Sequence, residues 1–559
     1  MQQNTRPDIQ ISPKTLKILP LIYISSQKFS FDAKASRQKL LMSRLKVSSL
    51  QKEKKNKYQN LLSVKRYQRI LKAQKKMSTL NHRLGASQQT EMKYLFSSFK
   101  SLSSLSSLFL SFAGFSYQKA KSSTISLFKK LASLKNLENV DFSFISIKLQ
   151  DPKILLTLLK SLQKIKTLAS LSLTFDKNSL SNKLIFQKFL QYLSRLTQLR
   201  ILRLNLAEIN SLKMNSLALV FTRLSQLTKI DLDWPIRANR LALQNLFKSF
   251  QTINKTLSDL TLNLDLELFK NTRVLSETLA LFDCPSLKRL KITLNGGVLD
   301  ERCLELLSLN LRKCATLMTN LCLKIPHITA SITNNHVQNF IQTLSHLRLL
   351  SALEFTFPQT PYLLQDIGFA LGQFESLVSL KLCFIGECQV TDHQYQHLFL
   401  NIRNLLSLEF LKIEFSHTKT LTGKSLFILA GTLKNLILLK DLTFRFSTPS
   451  FVTRAGVEVL IDSIKNLVSL RKLSLKLDCS IINHKTLEKI GQTLQSLPSL
   501  NQLELFLSQY PKNLNLGTIF EAIETMEFLQ TIALGPYCYG VASLEVSPGC
   551  KIKEFVRLE

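Results

Sequence analysis

Four residues in one short span have the types and spacing to hold a metal ion. Cys383, Cys388, His393 and His397 fall within 15 residues, and the two histidines stand one helical turn apart. Such a thiolate–imidazole set suits zinc. The surrounding pattern separates them, however. Cys383 falls at an outward position of a strand-like alternation, while the histidines belong to the helical pattern that follows, so no metal or cofactor is expected. The other histidines, of eight in all, are scattered. No Gly-rich phosphate loop, Gly-x-Ser-x-Gly elbow or His-Glu-x-x-His occurs. No reaction is assigned, and a non-enzymatic chain is expected.

Charge is the stronger chemical signal. The chain has 74 Lys+Arg against 38 Asp+Glu, a net +36. An excess of this size suits an acidic partner, whether nucleic acid or an anionic surface. Residues 1–100 hold 22 Lys+Arg and 4 Asp+Glu, a net +18, and the other 459 residues hold 52 and 34, also +18. The densest stretch runs from Gln51 to Leu84. It carries Lys54, Lys55, Lys57, Lys65, Arg66, Arg69, Lys72, Lys75 and Lys76, together with Lys52 and Arg83, against Glu53 alone. Leu61, Leu62, Val64, Ile70 and Leu71 are interleaved with them. The stretch reads either as a basic amphipathic helix able to contact RNA or an acidic surface, or as a solvated arm.

The remaining charges can be placed only through the elements that carry them. In Leu439–Phe446, Leu442, Phe444 and Phe446 alternate with Thr443 and Arg445, the pattern of a strand buried on one face. Val457, Leu460, Ile461, Ile464 and Leu467 then recur at helical spacing. Read on its second leucine, the same unit recurs at Leu108, Val140, Leu171, Leu202, Ile230, Leu260, Leu290, Leu321, Leu353, Leu380, Leu411, Leu442, Leu473, Leu503 and Ile532. These fifteen units step by 27 to 32 residues. Repetition at this period signals a solenoid, in which stacked units bury a core that none could bury alone. About 30 residues leaves room for a strand, two turns and a helix of roughly three turns.

The unit resembles the leucine-rich repeat, and most closely its ribonuclease-inhibitor-like branch. Val452-Thr453-Arg454-Ala455-Gly456-Val457-Glu458-Val459-Leu460, running on to Leu470-Arg471-Lys472-Leu473-Ser474-Leu475, carries the resemblance, and Thr422-Gly423-Lys424-Ser425-Leu426 carries it less fully. The resemblance covers roughly residues 100–540. It implies an α/β leucine-rich-repeat solenoid, a horseshoe with a parallel concave sheet and outer helices. The expected organisation is a basic, helical or disordered N-terminal arm over 1–95, the solenoid over 96–540 and a cap or tail over 541–559. The family's turn asparagine survives only as Asn295, whereas the apolar residue before it is nearly constant, as in Phe144, Phe175, Phe384 and Phe446. That implies longer strands and looser turns. The irregular unit at Leu321–Pro326 and the short step from Leu353 to Leu380 place a kink or protruding loop near 325–365.

Residues between the inward positions should face the concavity. Their charges are Asp141, Arg203, Asp231, Asp233, Lys291, Lys324, Glu354, Lys381, Lys412, Glu414, Arg445, Lys476 and Glu504, seven positive and six negative. The face is therefore close to neutral in a basic chain. Asp231, Asp233 and Asp259 gather early, and Lys381, Lys412, Arg445, Lys472 and Lys476 late. A groove made for nucleic acid is enriched in Lys and Arg throughout. The expected function is thus a scaffold holding a protein partner on the concave face through Asp231, Asp233, Lys381, Lys412, Arg445 and Lys476. The alternative is a ribonucleoprotein component gripping RNA through residues 51–84.

The nine cysteines are scattered and no signal peptide is evident, which points to an intracellular, most simply cytoplasmic, location with nuclear or mitochondrial sites left open. No membrane span is expected. The uncharged segment Ser101–Gln118 holds seven serines and the first repeat strand. Deleting residues 1–90 is expected to remove any RNA binding and to leave the solenoid folded. With about five or six phosphate contacts, the full chain should lose roughly two to four orders of magnitude in RNA affinity between about 50 and 200 mM salt. Flat, negligible RNA binding across the salt series would eliminate the ribonucleoprotein alternative.

Overall fold

The computed structural model describes residues 78–84, most of residues 102–534 and residues 554–557. Short segments on the strand-to-helix side of the repeats, such as 145–151, 176–182 and 207–215, lie outside the described residues, as does everything before Ser78.

Among the described residues, seventeen strands form one parallel sheet, from Thr79–Leu84 to Glu554–Arg557. From Ser107–Phe112 to Thr531–Leu534, each sheet strand leads to the next through one helix, giving fourteen helices among the described residues. A parallel pair requires such a crossover. All fifteen repeat leucines and their equivalents lie on strands, and each pairs in register with its counterpart on the next strand. The inward positions are closed: Leu442 and Phe444 are both 0% exposed. Burial alternates along the strands, with the helices covering one face and leaving the other free. The chain is an α/β leucine-rich-repeat solenoid.

The strands are mostly six or seven residues long and run through the near-constant aromatic. Register then stacks these rings on each other. Phe112 lies 5.3 Å from Phe144, Phe144 5.5 Å from Phe175, and Phe384 5.1 Å from Phe415, all with nearly parallel planes. Offset ring pairs of this kind add to the burial energy. Several of the later helices start at polar caps that satisfy their first amides. Thr422 accepts from Lys424 N at 3.1 Å, Thr453 from Gly456 N at 3.2 Å and Asn483 from Thr486 N at 3.0 Å. Polar side chains also tie helix to helix, as where Thr432 donates to Phe399 O at 2.9 Å. Neighbouring helices approach closely at glycines. A Cβ on Gly456 would lie 2.8 Å from Gly423 Cα.

Three observations amend the sequence reading. Residues Thr79–Leu84, read as the end of a basic helix, form a strand parallel to Ser107–Phe112. Leu80 joins the leucine column at 4% exposure, and Ser106 N and Ser107 N both donate to Ser78 O at 2.9 Å. The sheet thus reaches into the expected arm, and deleting residues 1–90 would remove one of its strands. At the other end, Glu554–Arg557 adds a strand beside Thr531–Leu534. Near 325–365 the irregularity takes two forms. His327–Ile328 pairs with Val298–Leu299 in a separate two-stranded sheet, and the helix Leu363–Leu371 is only 9 residues long.

Leu442→Asp should destabilise far more than Arg445→Asp. The first places an unpaired carboxylate in the leucine column and costs several kcal/mol; the second changes a partly exposed charge and should cost under about 1 kcal/mol. Equal losses in a denaturant titration would contradict the strand phase. Gly456→Ala should cost about 1–3 kcal/mol by forcing two helices apart, read in the same titration.

Candidate partner-binding face

Each strand presents up to three outward residues on the helix-free face: the one before the second leucine, the one after it, and the one two further on. Register aligns them in columns across the sheet. Lys381 stands opposite Lys412, and Arg445 opposite Lys476. Asp231 stands opposite Arg203, and Asp233 opposite Asn205 and Asn263.

The acids and bases of these columns hold one another. Arg203 lies 4.0 Å from Asp231, while Asn263 donates a short hydrogen bond to Asp233. Burial, and then the neighbouring charge of Asp233, hold the Asp231 carboxyl above the usual aspartate range. Asp259 and Arg289 form a close ion pair. Glu354 meets Lys324 at 2.6 Å and Lys381 at 4.0 Å. Burial alone would raise its pKa, but the Lys324 hydrogen bond and the two ammonium charges hold it low. Glu414, whose side chain is 18% exposed, lies 3.2 Å from both Lys412 and Arg445. Lys472 reaches Glu504 at 3.0 Å, and Ser474 donates to the same carboxylate at 2.7 Å.

The late basic cluster is therefore not a row of free cations. Lys381, Lys412 and Arg445 each face a glutamate, and among the described residues Lys476 alone of the four lacks an ion pair within 4.0 Å. The acids Glu354, Glu414 and Glu504 interrupt the run because they occupy the same outward columns as the bases.

Sequence reasoning passed over most of the column that precedes the second leucine. It contributes Lys229, Arg289, Phe410 and Asp441. The signal was present, since alternation extended one residue backwards puts that position outward too. Phe410 is 39% exposed on this face. In the neighbouring column, Thr443 and Ser474 are outward in phase yet almost fully covered, at 7% and 1%, overhung by the longer side chains around them. Small residues thus floor a depression. One part, about 220 Å³, is lined by Lys229, Asp259, Arg289, Lys291, Asn320 and Glu354. A second, about 510 Å³, is lined by Phe410, Lys412, Asp441, Thr443, Arg445 and Glu504. Ser379 and Lys381 belong to both, so the two adjoin.

Cys322 and Cys383 also lie on this face. Burial, then the charges of Glu354 and Glu414 respectively, push both thiols up to about 11, so they are neutral near pH 7. His393 and His397 sit on the helix Asp392–Ile402 with ring centroids 4.5 Å apart, on a different layer from Cys383. Cys388 lies outside the described residues, and no group of three or more potential ligands converges among the described ones. Lys54, Lys55, Lys57, Lys65, Arg66, Arg69, Lys72, Lys75 and Lys76 all lie outside the described residues. No described helix is long and apolar enough to cross a membrane.

No family model matches the chain, and no curated protein matches it. Among solved structures, it is similar to a chain of the yeast Rad7–Elc1 complex at 15% identity and TM-score 0.39, covering 93% of this chain and 98% of that one. It is also similar to an internalin from Listeria monocytogenes at 14% identity and TM-score 0.26, covering 78% and 88%.

Asp441 lines the larger depression, and the lysine opposite it, Lys472, is drawn to Glu504. Burial holds its carboxyl above the usual aspartate range. The folded state keeps that proton to higher pH than the unfolded chain, so the charged form costs stability once pH rises through this window. Asp441→Asn should therefore stabilise at pH 7 by under about 1 kcal/mol, with the gain vanishing below the unfolded pKa of about 4. Denaturant midpoints at the two pH values check this; a loss of stability at pH 7 would contradict it.

Proposed function

We propose that this chain is a non-catalytic scaffold of the ribonuclease-inhibitor-like kind, holding a protein partner on its helix-free sheet face. One observation carries the reading: two adjoining depressions that together span ten strands, from Lys229–Trp234 to Gln502–Ser508, edged by half-exposed charges of both signs. The Thr-capped, glycine-contacting helices at Thr422–Gly423 and Thr453–Gly456 support the branch.

The alternation of acids and bases fits a protein better than a nucleic acid. A polyphosphate would meet Glu354, Glu414 and Glu504 along its path, and each would oppose it. A protein segment can match both signs. Its acidic part seats over Lys381, Lys412, Arg445 and Lys476, where Lys472 adds a fifth cation. Its basic part seats near Asp231 and Asp233. Phe410 supplies an exposed ring at the base-rich end, the kind of anchor that dominates interface energies. The cross-repeat ion pairs keep the long side chains ordered before binding, which reduces the entropy lost on association.

Reversing Lys412 and Arg445 together to Glu should weaken partner capture at least about tenfold, with the circular dichroism spectrum unchanged. Capture at the wild-type level would reduce the cluster to a solvated face.

A further inference from the structure

The short step between Leu353 and Leu380 has a consequence on the opposite, helical side. The helix Leu363–Leu371 has 9 residues, and its neighbours Asn334–Leu344 and Asp392–Ile402 have 11 each. It is thus about 3 Å shorter than both. Gly368 lets the following helix come close, since a Cβ there would lie 2.9 Å from His397 O. A cavity of about 310 Å³ opens between the three helices.

Its lining sets polar groups beside the apolar Ile341, Phe369 and Ala370. Gln338, Gln342, Gln365 and Asn401 bring amides, Asp366 brings a carboxylate and His397 an imidazole. No Lys or Arg lines it, although the chain carries 74 of them. Asp366 is half-buried and makes no hydrogen bond or ion pair among the described residues, and burial pushes its carboxyl above the usual range. Phe369, three residues on and so on the same helical face, is 66% exposed at the cavity.

We infer that this cavity is a second binding site, which receives the guanidinium of an arginine side chain from a partner protein. The guanidinium supplies the counter-charge that the half-buried Asp366 carboxylate lacks. The amide oxygens of the glutamines take the remaining N–H donors, and the Phe369 ring provides the face on which a planar cation stacks. A guanidinium satisfies all three requirements at once. An ammonium could meet the carboxylate but offers no planar face. The site is independent of the sheet face, so it can hold a second partner, or a second segment of the same one.

The test is ligand-observed saturation-transfer NMR on the full chain, with acetyl-arginine amide as probe and acetyl-citrulline amide as its neutral match. The arginine probe should bind and the citrulline probe should not. Asp366→Asn, which keeps the shape, should weaken the arginine signal about tenfold or more. Phe369→Leu, which keeps an apolar side chain without the ring, should weaken it by a smaller factor. The Lys412→Glu/Arg445→Glu protein should bind the probe as the wild type does. Equal binding by citrulline, full binding by Asp366→Asn, or loss in the sheet-face variant would each overturn the assignment.

Discussion

Every other feature depends on one constraint: the second leucine of each repeat must stack, in register, on the second leucine of the next. A parallel ladder offers each strand two hydrogen-bonding edges and one covered face. A slip of one residue would exchange the covered and exposed faces of the whole strand. The fully buried Leu442 and Phe444 measure what such a slip would lose: burying each such side chain stabilises by about 1.5–3 kcal/mol. Register is thus held repeat by repeat, and aromatic stacks such as Phe384–Phe415–Phe446 reinforce it.

Fixing the inward columns also fixes the outward ones. Charges about 30 residues apart in sequence come within ion-pair distance because the ladder spaces its strands about 4.8 Å apart. Glu414 illustrates the effect. It shares its carboxylate between Lys412 on its own strand and Arg445 on the next. Such half-exposed pairs add little to stability. Their consequence is order: long side chains are held at defined places around a floor of Thr and Ser. The same stacking governs the other layer, where Gly423 and Gly456 let two helices touch and the shortened Leu363–Leu371 helix leaves a cavity.

Much of the fold was legible because the period is strong and the core residues are of one type. The fifteen leucine positions fall on strands as the alternation requires. What escaped reading lies where the pattern is diluted. At Thr79–Leu84, His82 replaces the third leucine and the preceding charge run dominates the composition. At Glu554–Arg557, Arg557 occupies that same position. The sheet-face charges were identified, but not their pairing. Whether Arg445 is free or bound to Glu414 depends on two side chains on adjacent strands, which a one-dimensional pattern does not relate. The cavity beside Asp366 was foreshadowed only as an irregular step, because its chemistry comes from three helices at once.

A protein partner seated on the helix-free face would lie across the columns that register creates. Carboxyl footprinting of the captured complex against the free chain tests this placement most directly. Glu354, Glu414, Asp441 and Glu504 should lose labelling on binding, while the helix-face carboxylates Glu305, Asp462 and Glu488 keep theirs. Protection of the helix-face set with the sheet-face set unchanged would contradict the account.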